Sequence, residues 1–456
     1  METNAVILAA GLGKRMRSKL PKVLHPLVGR PMVLYVLEAV SAVIDKKPVV
    51  VVGFGREKVM QAIGDRALFA YQEEPLGTGD ALLKARDLVA PPNSTVLVLN
   101  GDAPLIREET IRSLLETHQR EKAALTFLTF RSDDCTGFGR VVRDAHGQVM
   151  KLVEEAEASE EERQITELNA GVYCFEGSWL WEHLKLLKPH PNGEYYLTDL
   201  VNIASGEGLP IATLTADEEE ALGINTRVHL AKAEAIMRRR INQRWMERGV
   251  TIINPEATYI EATVEIGRDC VIYPNTFLQG KTSLGEDCRI GPNTIVRDSV
   301  IGNGCVVIAS VIEGSILEDD VEVGPFSHLR PGAHLARGVH IGNFAEVKKS
   351  YLGPGTKMGH FSYLGDATVG AGVNIGAGTI TCNFDGQRKH PTVIEDGAFI
   401  GSDTMLVAPV KVGAKAKTGA GSVVTRDIPP KALAYGVPAR VKKLLEGEEN
   451  PSEGRG

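Results

Sequence analysis

Aliphatic residues return every six positions through the second half of this chain, and few folds tolerate that period. One run is Ile266, Ile272, Leu278, Leu284, Ile290 and Val296; a second is Val311, Leu317, Val323, Leu329, Leu335, Ile341 and Val347; a third is Ile394, Ile400, Leu406 and Val412. An amphipathic helix repeats every 3.6 residues and a half-exposed strand every two, so neither accounts for the pattern. A parallel β-helix does, because three short strands and three turns complete one coil. Aliphatics one coil apart, such as Ile272 and Ile290, then stack, with coils separated by the ordinary strand spacing of about 4.8 Å. Glycine follows many of these aliphatics, as in Ile266-Gly267, Leu284-Gly285, Ile341-Gly342, Leu364-Gly365 and Ile375-Gly376. The position four after each aliphatic is usually small or β-branched, as at Cys270, Thr276, Cys288, Thr294, Ala333, Ala345, Thr379, Ala398 and Thr404. A narrow prism has room for little else beside the large residue.

The chain has 456 residues, enough for two or three domains, so a second architecture must fill the first half. Hydrophobic residues at 43% and charged residues at 24% allow a sizeable core and exclude disorder over most of the length. A formal net charge of -7 argues against non-specific nucleic-acid binding, which needs a cationic surface. Anionic substrates must therefore be gripped by local Lys and Arg. No apolar run approaches the ~20 residues of a membrane span and no secretory leader is visible, so a cytoplasmic protein without membrane or nucleic-acid partners is expected. The six cysteines form no CxxC or Cys/His zinc spacing. Cys270, Cys288 and Cys305 fall at inward repeat positions and are expected to be buried, reduced thiols.

Through residue 225 strand-like apolar runs alternate with helical patterns, the signature of a mostly parallel sheet covered by helices. Residues 5–10, 48–53 and 96–100 read as buried strands, and 31–43, 78–88 and 108–119 as helices, the first with proline at an early position. The acidic stretch 154–162 reads as a solvated loop or helix face, with Glu154 a possible exception. Residues 226–248 contain no Gly or Pro before Arg248 and predict a long helix joining the domains. Its Arg238-Arg239-Arg240 cluster is read as a solvated face. The expected division is an α/β domain over 1–225, a linker helix over 226–248, a β-helix over 249–445 and a disordered polar tail over 446–456.

After the first predicted strand comes Leu8-Ala9-Ala10-Gly11-Leu12-Gly13-Lys14-Arg15-Met16, where an open α/β sheet places its ligand loops. GxGxxG would need glycine at Met16 and the P-loop pattern is absent, which disfavours a dehydrogenase or a P-loop kinase. Arg15 and then Pro21-Lys22 bring two cations close behind the glycines, as nucleotidyl transfer needs to offset charge on a triphosphate. Downstream stand Gln72, Leu76-Gly77-Thr78-Gly79 and Asn100-Gly101-Asp102. A carboxylate at the carboxyl end of a central strand suits Mg²⁺ shared with phosphates. Asp102 as a plain turn or capping residue is the alternative.

Together these segments resemble the sugar-1-phosphate nucleotidyltransferase family, whose pattern is LAAGxGTRM followed by PK, with Lys14 here in place of threonine. The match continues through Thr136-Gly137-Phe138-Gly139-Arg140, Val153-Glu154-Glu155, Asn169-Ala170-Gly171, Glu194 to Asp199 and Gly223-Ile224-Asn225. Such a domain followed by a long helix and a left-handed hexapeptide β-helix is similar to the bacterial family of bifunctional N-acetylglucosamine-1-phosphate uridyltransferases and glucosamine-1-phosphate N-acetyltransferases. The resemblance implies that Leu8, Gly11, Gly13, Gln72, Gly77 and Thr78 hold UTP and that Lys22 and Arg15 contact its phosphates. It implies that Gly139, Glu154 and Asn169 position N-acetylglucosamine-1-phosphate, and that Asp102 with Asn225 binds Mg²⁺. The family commonly has tyrosine where Asn100 stands, so any contact of that ring does not carry over.

A β-helix proves no activity, since repeat scaffolds also serve to stack subunits, so its irregularities matter most. The period slips to five between Val347 and Leu352 and between Leu364 and Val369, and breaks after Ile375, where Cys382-Asn383-Phe384-Asp385-Gly386 begins an excursion. Around these breaks gather Arg330, Lys348, Lys349, His360, Tyr363, Asn374 and Asn383. Arg330 and Lys348 supply charge for a sugar phosphate, Tyr363 and Asn374 supply hydrogen bonds, and His360 supplies an imidazole, the side chain most often used to move protons in catalysis. A lone histidine is more often a surface or capping residue; the cluster weighs against that here. By the resemblance, His360 is the general base that takes a proton from the glucosamine-1-phosphate amine as it attacks acetyl-CoA. Ala377 would supply an oxyanion N–H, Asn383 would orient the amine, and Phe384, Ser402, Ala420 and Arg440 would contact acetyl-CoA.

The reading is a bifunctional enzyme that acetylates glucosamine-1-phosphate and then transfers uridylyl from UTP, giving UDP-N-acetylglucosamine for the cell wall. Left-handed hexapeptide helices usually associate as trimers, and a homotrimer is expected. The alternatives are a single-activity nucleotidyltransferase with a regulatory β-helix, and a non-catalytic scaffold subunit.

Overall fold

The computed structural model describes residues 2–89, 91 and 93–445, so the tail expected to be disordered lies outside the described residues. The chain divides into two compact units, one ending at Met237 and the next starting at Arg238. The division falls inside the helix Arg227–Glu247, within the segment read as the linker. Among the described residues, no helix is long and apolar enough to cross a membrane.

In the first unit, the main path of the sheet runs Ile211–Thr215, Leu125–Arg131, Glu167–Glu176, Thr95–Asn100, Thr3–Ala9, Val49–Val52, Leu68–Tyr71. Thr3–Ala9 pairs in parallel with both neighbours, while Glu167–Glu176 runs antiparallel to both of its own. Val49–Val52 is buried at every residue, as expected of a parallel strand covered on both faces. The core includes Val6, Val51, Val96, Val98, Phe127, Phe175, Leu197 and Leu200. Leu8 is paired with Asn100, and Val52 with Ala9 and Tyr71. The loops at Ala10, Gly53, Gln72 and Gly101 therefore leave the same edge of the sheet.

The helices differ from expectation at their ends. The first is Met32–Ser41, with Pro31 as the N-cap instead of a helical residue. The second is α-helical over Thr78–Lys84 and then tightens to a 3₁₀ turn at Arg86–Leu88. The acidic stretch is not simply solvated. Glu154 Oε1 accepts from the Thr198 hydroxyl at 2.9 Å, Glu155 accepts the Gly137 N–H at 2.8 Å, and Glu157 meets His190 at 2.8 Å.

The second unit is a three-sided, left-handed parallel β-helix of short strands in sheets of 12, 10 and 9 strands. The first face buries Ile272, Ile290, Val307, Val323, Ile341, Met358, Ile375 and Ile400; the second buries Leu278, Val296, Ile312, Leu329, Val347, Leu364 and Leu406; the third, Leu284, Ile301, Leu317, Leu335, Leu352, Val369 and Val412. Left-handed corners fall on short polar residues, among them Asp269, Asn275, Asp287, Asn293 and Asp320 at φ 60°, 57°, 61°, 53° and 59°. These side chains tolerate positive φ because they bond locally.

Besides the slips at Val347–Leu352 and Leu364–Val369, the period shortens to five at Val296–Ile301 and on both sides of Ile312, and it changes after Ile375. Ile312 is buried where Val311 was expected to point inward, because the step from Val307 to Ile312 shortens to five and the strand Val311–Glu313 pairs Val296 with Ile312. After Ile375 the array continues one face further: Thr381 points inward, with its hydroxyl accepting the Gly365 N–H at 2.8 Å. A threonine carries no aliphatic signal, so the sequence shows a break one face early. The three stacked thiols are buried and free, and Cys270, Cys288 and Cys305 each donate to a carbonyl of the next coil at 3.0 Å, those of Gly285, Gly302 and Glu318.

Candidate active sites

In the first unit the glycine loop is shaped around a lysine. Gly13 lies at φ 59°, and a Cβ there would fall 2.7 Å from Lys22 Cβ, so glycine is required by both conformation and space. The Lys22 ammonium bonds the Asp102 carboxylate and, at 3.0 Å, Asn225 Oδ1. Residue 225 reaches this point because the Ile224 N–H donates to the Asp102 carbonyl at 2.9 Å. Gly101 lets the turn close over the first strand, since its Cβ would lie 3.2 Å from the Leu8 carbonyl oxygen. A carboxylate and an amide oxygen thus converge on one cation. That hard-oxygen donor set, incomplete by itself, fits a Mg²⁺ ion completed by phosphate oxygens and water.

Beside it opens a cavity of about 320 Å³ lined by Ala10, Leu12, Gly53, Phe54, Arg56, Gln72 and Glu73. Gln72 is buried and spends both amide hydrogens inside the protein, on the Gly77 carbonyl at 3.0 Å and Asp80 Oδ2 at 2.8 Å. What it can offer a base is its Oε1 acceptor. Gly77 sits at φ 95° with no room for a Cβ, which would lie 2.5 Å from the Tyr195 carbonyl oxygen. Thr78 Oγ1 accepts the Leu197 N–H at 3.0 Å, tying this loop to the Glu194–Asp199 segment. Leu8 is half-buried at its strand end, whereas Gly11 and Arg15 are exposed, Gly11 with open space where a side chain would be.

A second cavity, about 660 Å³, runs from Arg15 and Asn225 past Phe130, Phe138 and Gly137 to His229 and Lys232. Asn169, nearby on the sheet, donates to the buried Tyr173 hydroxyl at 2.6 Å and accepts the Gly171 N–H at 3.0 Å. Burial pushes the Tyr173 phenol well above its usual range, so it stays a neutral hydroxyl. The Asn169 N–H donates to the Gly139 carbonyl at 2.9 Å, and Gly139 is pressed on by Leu152. Burial also raises the Glu154 carboxyl above its ordinary value, opposed by the Thr198 hydroxyl. Asp80, Tyr173 and Thr198 hold these groups in place and carry no motif of their own. In the sequence Asp80 directly follows Leu76-Gly77-Thr78-Gly79, Tyr173 stands near Asn169-Ala170-Gly171, and Thr198 lies within the segment Glu194 to Asp199.

In the second unit, one corner of the prism carries His360, Ala377, Ser402 and Ala420 in successive coils. The stack is tied by Gly378 N–H to Phe361 O at 2.7 Å, Asp403 N–H to Ala377 O at 2.6 Å and Gly421 N–H to Ser402 O at 2.8 Å. His360, Ser402 and Ala420 are exposed. Arg440 pairs across a hairpin with Tyr435, whose Cβ closes on Gly419.

The second face runs from this corner past Tyr363 to an opposite edge bearing Arg330, Lys348 and Asn383. Gly365 makes that edge possible: a Cβ there would lie 2.2 Å from the Tyr363 hydroxyl and 2.7 Å from Asn383 Nδ2. Asn383 donates to Asp366 Oδ2 at 2.5 Å, and Arg330 is anchored on Glu346 at 2.8 Å. Lys389, then Arg330, lower the Lys348 ammonium from its usual value, because the three cations crowd one edge. The excursion is a short hairpin in which Asp385 accepts from Gln387 and Arg388 N–H groups at 2.8 Å, leaving Phe384 exposed. Asn374 is not brought to this face. It stands on the first face, between Lys357 and Phe399.

The sequence matches the family described as Nucleotidyl transferase over residues 4–246, the Bacterial transferase hexapeptide over 263–298 and the Hexapeptide repeat of succinyl-transferase over 391–426. It is 51% identical over 432 residues to the bifunctional protein GlmU of Heliobacterium modesticaldum, covering 94% of each chain. It is 50% identical over 440 residues to that of Carboxydothermus hydrogenoformans, covering 96% of this chain and 98% of the relative. With the protein of the same name from Caldanaerobacter subterraneus it shares 49% over 455 residues, 100% and 99% of the two chains.

Proposed function

The chain belongs to the family of the bifunctional protein GlmU, and on that footing we propose which residues carry each of its two reactions. It is a bifunctional enzyme of UDP-N-acetylglucosamine synthesis, a glucosamine-1-phosphate acetyltransferase and an N-acetylglucosamine-1-phosphate uridyltransferase.

In uridylyl transfer, a phosphate oxygen of N-acetylglucosamine-1-phosphate attacks the α-phosphorus of UTP in line, the bond to the β-phosphate breaks, and pyrophosphate leaves. No protein nucleophile is needed; the work is positioning and charge neutralisation. Gln72 Oε1 accepts from a base N–H, which favours uracil, and Gly11, Gly13, Gly77 and Thr78 let the backbone approach the nucleotide. Lys22 and Arg15 contact the phosphates. Gly139, Glu154 and Asn169 bind the acceptor sugar. Asp102 and Asn225 would hold Mg²⁺, which supplies further neutralisation of the triphosphate. The observation that carries this assignment is the convergence of Asp102 and Asn225 on Lys22 beside the Gln72 cavity.

In acetyl transfer, His360 removes a proton as the sugar amine attacks the thioester carbonyl carbon; the C–S bond then breaks and the coenzyme A sulfur takes up a proton. Arg330 and Lys348 hold the sugar phosphate, Tyr363 bonds the sugar and Asn383 orients the amine. The Ala377 N–H stabilises the oxyanion, with Phe384, Ser402, Ala420 and Arg440 along the coenzyme. Asn374, on the neighbouring face, suits a site completed between prisms of a homotrimer. An exposed ladder of Phe326, Phe344 and Phe361, at 61%, 64% and 57% exposure, supports such an assembly. The enzyme works in the cytoplasm, where both co-substrates are available.

The test is a pair of assays on one preparation. Thiol release from acetyl-CoA should depend on glucosamine-1-phosphate, and pyrophosphate release from UTP should depend on N-acetylglucosamine-1-phosphate and Mg²⁺. Folded protein that releases pyrophosphate and no thiol would instead be a single-activity nucleotidyltransferase.

A further inference from the structure

We propose that His190 is a positioning residue for the acceptor sugar, a charged bridge that holds the loop bearing Glu154 against the segment bearing Thr198. This deepens the uridyltransferase reading and rests on it. His190 Nδ1 lies 2.8 Å from Glu157 Oε1, and Nε2 lies 2.9 Å from Asp199 Oδ2. A carboxylate can only accept, so a ring that bonds both must carry a proton on each nitrogen. The bridged elements are those that set Glu154. Glu157 closes a turn on it, with its N–H on the Glu154 carbonyl at 3.0 Å, and Asp199 follows Thr198, whose hydroxyl holds Glu154 Oε1 at 2.9 Å. Tyr196 lies over the ring at 4.2 Å between centroids, and Asn192 donates to its hydroxyl at 2.6 Å, which fixes the histidine from a third side.

The titratable groups facing the ring are Glu157 and Asp199 in contact and Tyr196 stacked on it, with Glu154 and Glu194 close by. The hydrogen bond to Asp199 does most to hold the imidazolium above its ordinary value; desolvation opposes it, and the bond to Glu157 adds a smaller effect in the same direction as Asp199. The sign follows: the bridge is intact at low and neutral pH and is lost as pH rises through the raised value, when one nitrogen turns from donor to acceptor. On the acid side a different group fails, because Glu154, raised by burial, takes up a proton. The bridge is partly exposed, with side-chain exposures of 17% for His190 and 27% for Asp199, so solvent screening keeps its effect modest.

Steady-state kinetics of the full-length enzyme from about pH 6 to about pH 9 test this, with H190Q and H190R alongside. In the wild type, KM for N-acetylglucosamine-1-phosphate should rise with pH while KM for UTP and kcat barely move. H190Q should show an acceptor KM raised roughly threefold to tenfold at neutral pH and no rise on the alkaline side. H190R, which keeps charge and two donors, should restore a low and pH-independent KM. Ring-nitrogen NMR should find His190 doubly protonated at neutral pH. An H190Q acceptor KM equal to wild type at every pH, or a neutral ring at neutral pH, overturns the proposal. A folded wild type that makes no UDP-N-acetylglucosamine overturns the functional reading and with it the positioning role, even if NMR still finds the imidazolium.

Discussion

Gly13 shows how much one residue can decide. Its left-handed backbone and its 2.7 Å approach to Lys22 Cβ mean that Gly13→Ala strains the loop and pushes the lysine away from Asp102 and Asn225. A strain of about 1–3 kcal/mol predicts a roughly fivefold to hundredfold loss of uridylyl-transfer rate with acetyl transfer unchanged; equal rates in the variant and the wild type would remove Lys22 from that role. Gln72→Glu puts a second carboxylate against Asp80 and replaces the donor that now bonds it. We expect KM for UTP to rise roughly fivefold to hundredfold, measured with saturating acceptor, the cost of a buried unpaired acceptor being about 1–3 kcal/mol. At this scale the residues proposed to meet substrate are legible in the sequence, because Gly, Lys and Asp stand in motif order. The sequence is silent on what holds them. Glu157 and Thr198 act through contacts that span 33 and 44 residues of chain, to His190 and Glu154, and no local spacing announces such partners.

At the scale of the element, the hexapeptide period was legible because each inward aliphatic is a local and repeated demand of a narrow prism. It failed where a face shortened. Val311 and Ile312 are both aliphatic neighbours, and only the pairing of Val296 with Ile312 decides which points inward. Denaturant unfolding separates them. Ile312→Ala should cost about 2–5 kcal/mol, as for a fully buried aliphatic, whereas Val311→Ala should cost under about 1 kcal/mol. The reverse order would return Val311 to the core. Thr381 escaped notice for a different reason, since its inward hydroxyl is satisfied by a backbone N–H and not by apolar packing. The same blindness covered the acidic stretch, whose charges suggest solvation until Thr198, Gly137 and His190 are brought to them by the fold.

At the scale of the whole molecule, two units carry two chemistries. The helix read as a linker over 226–248 is Arg227–Glu247, and the boundary between compact units falls at Met237 and Arg238, inside it. Composition could not locate that point, because a helix without Gly or Pro looks uniform along its length. Light scattering should give three times the mass of one chain; a monomer that still acetylates would show that Asn374 of a second copy is not needed. The central claim is that the two sites are chemically independent. It is tested most directly by assaying both half-reactions on folded Asp102→Ala and His360→Ala. Asp102→Ala should abolish pyrophosphate release from UTP and keep acetyl-CoA thiol release at the wild-type rate, and His360→Ala should do the opposite. Loss of both activities in either folded variant, or wild-type acetylation without His360, would contradict it.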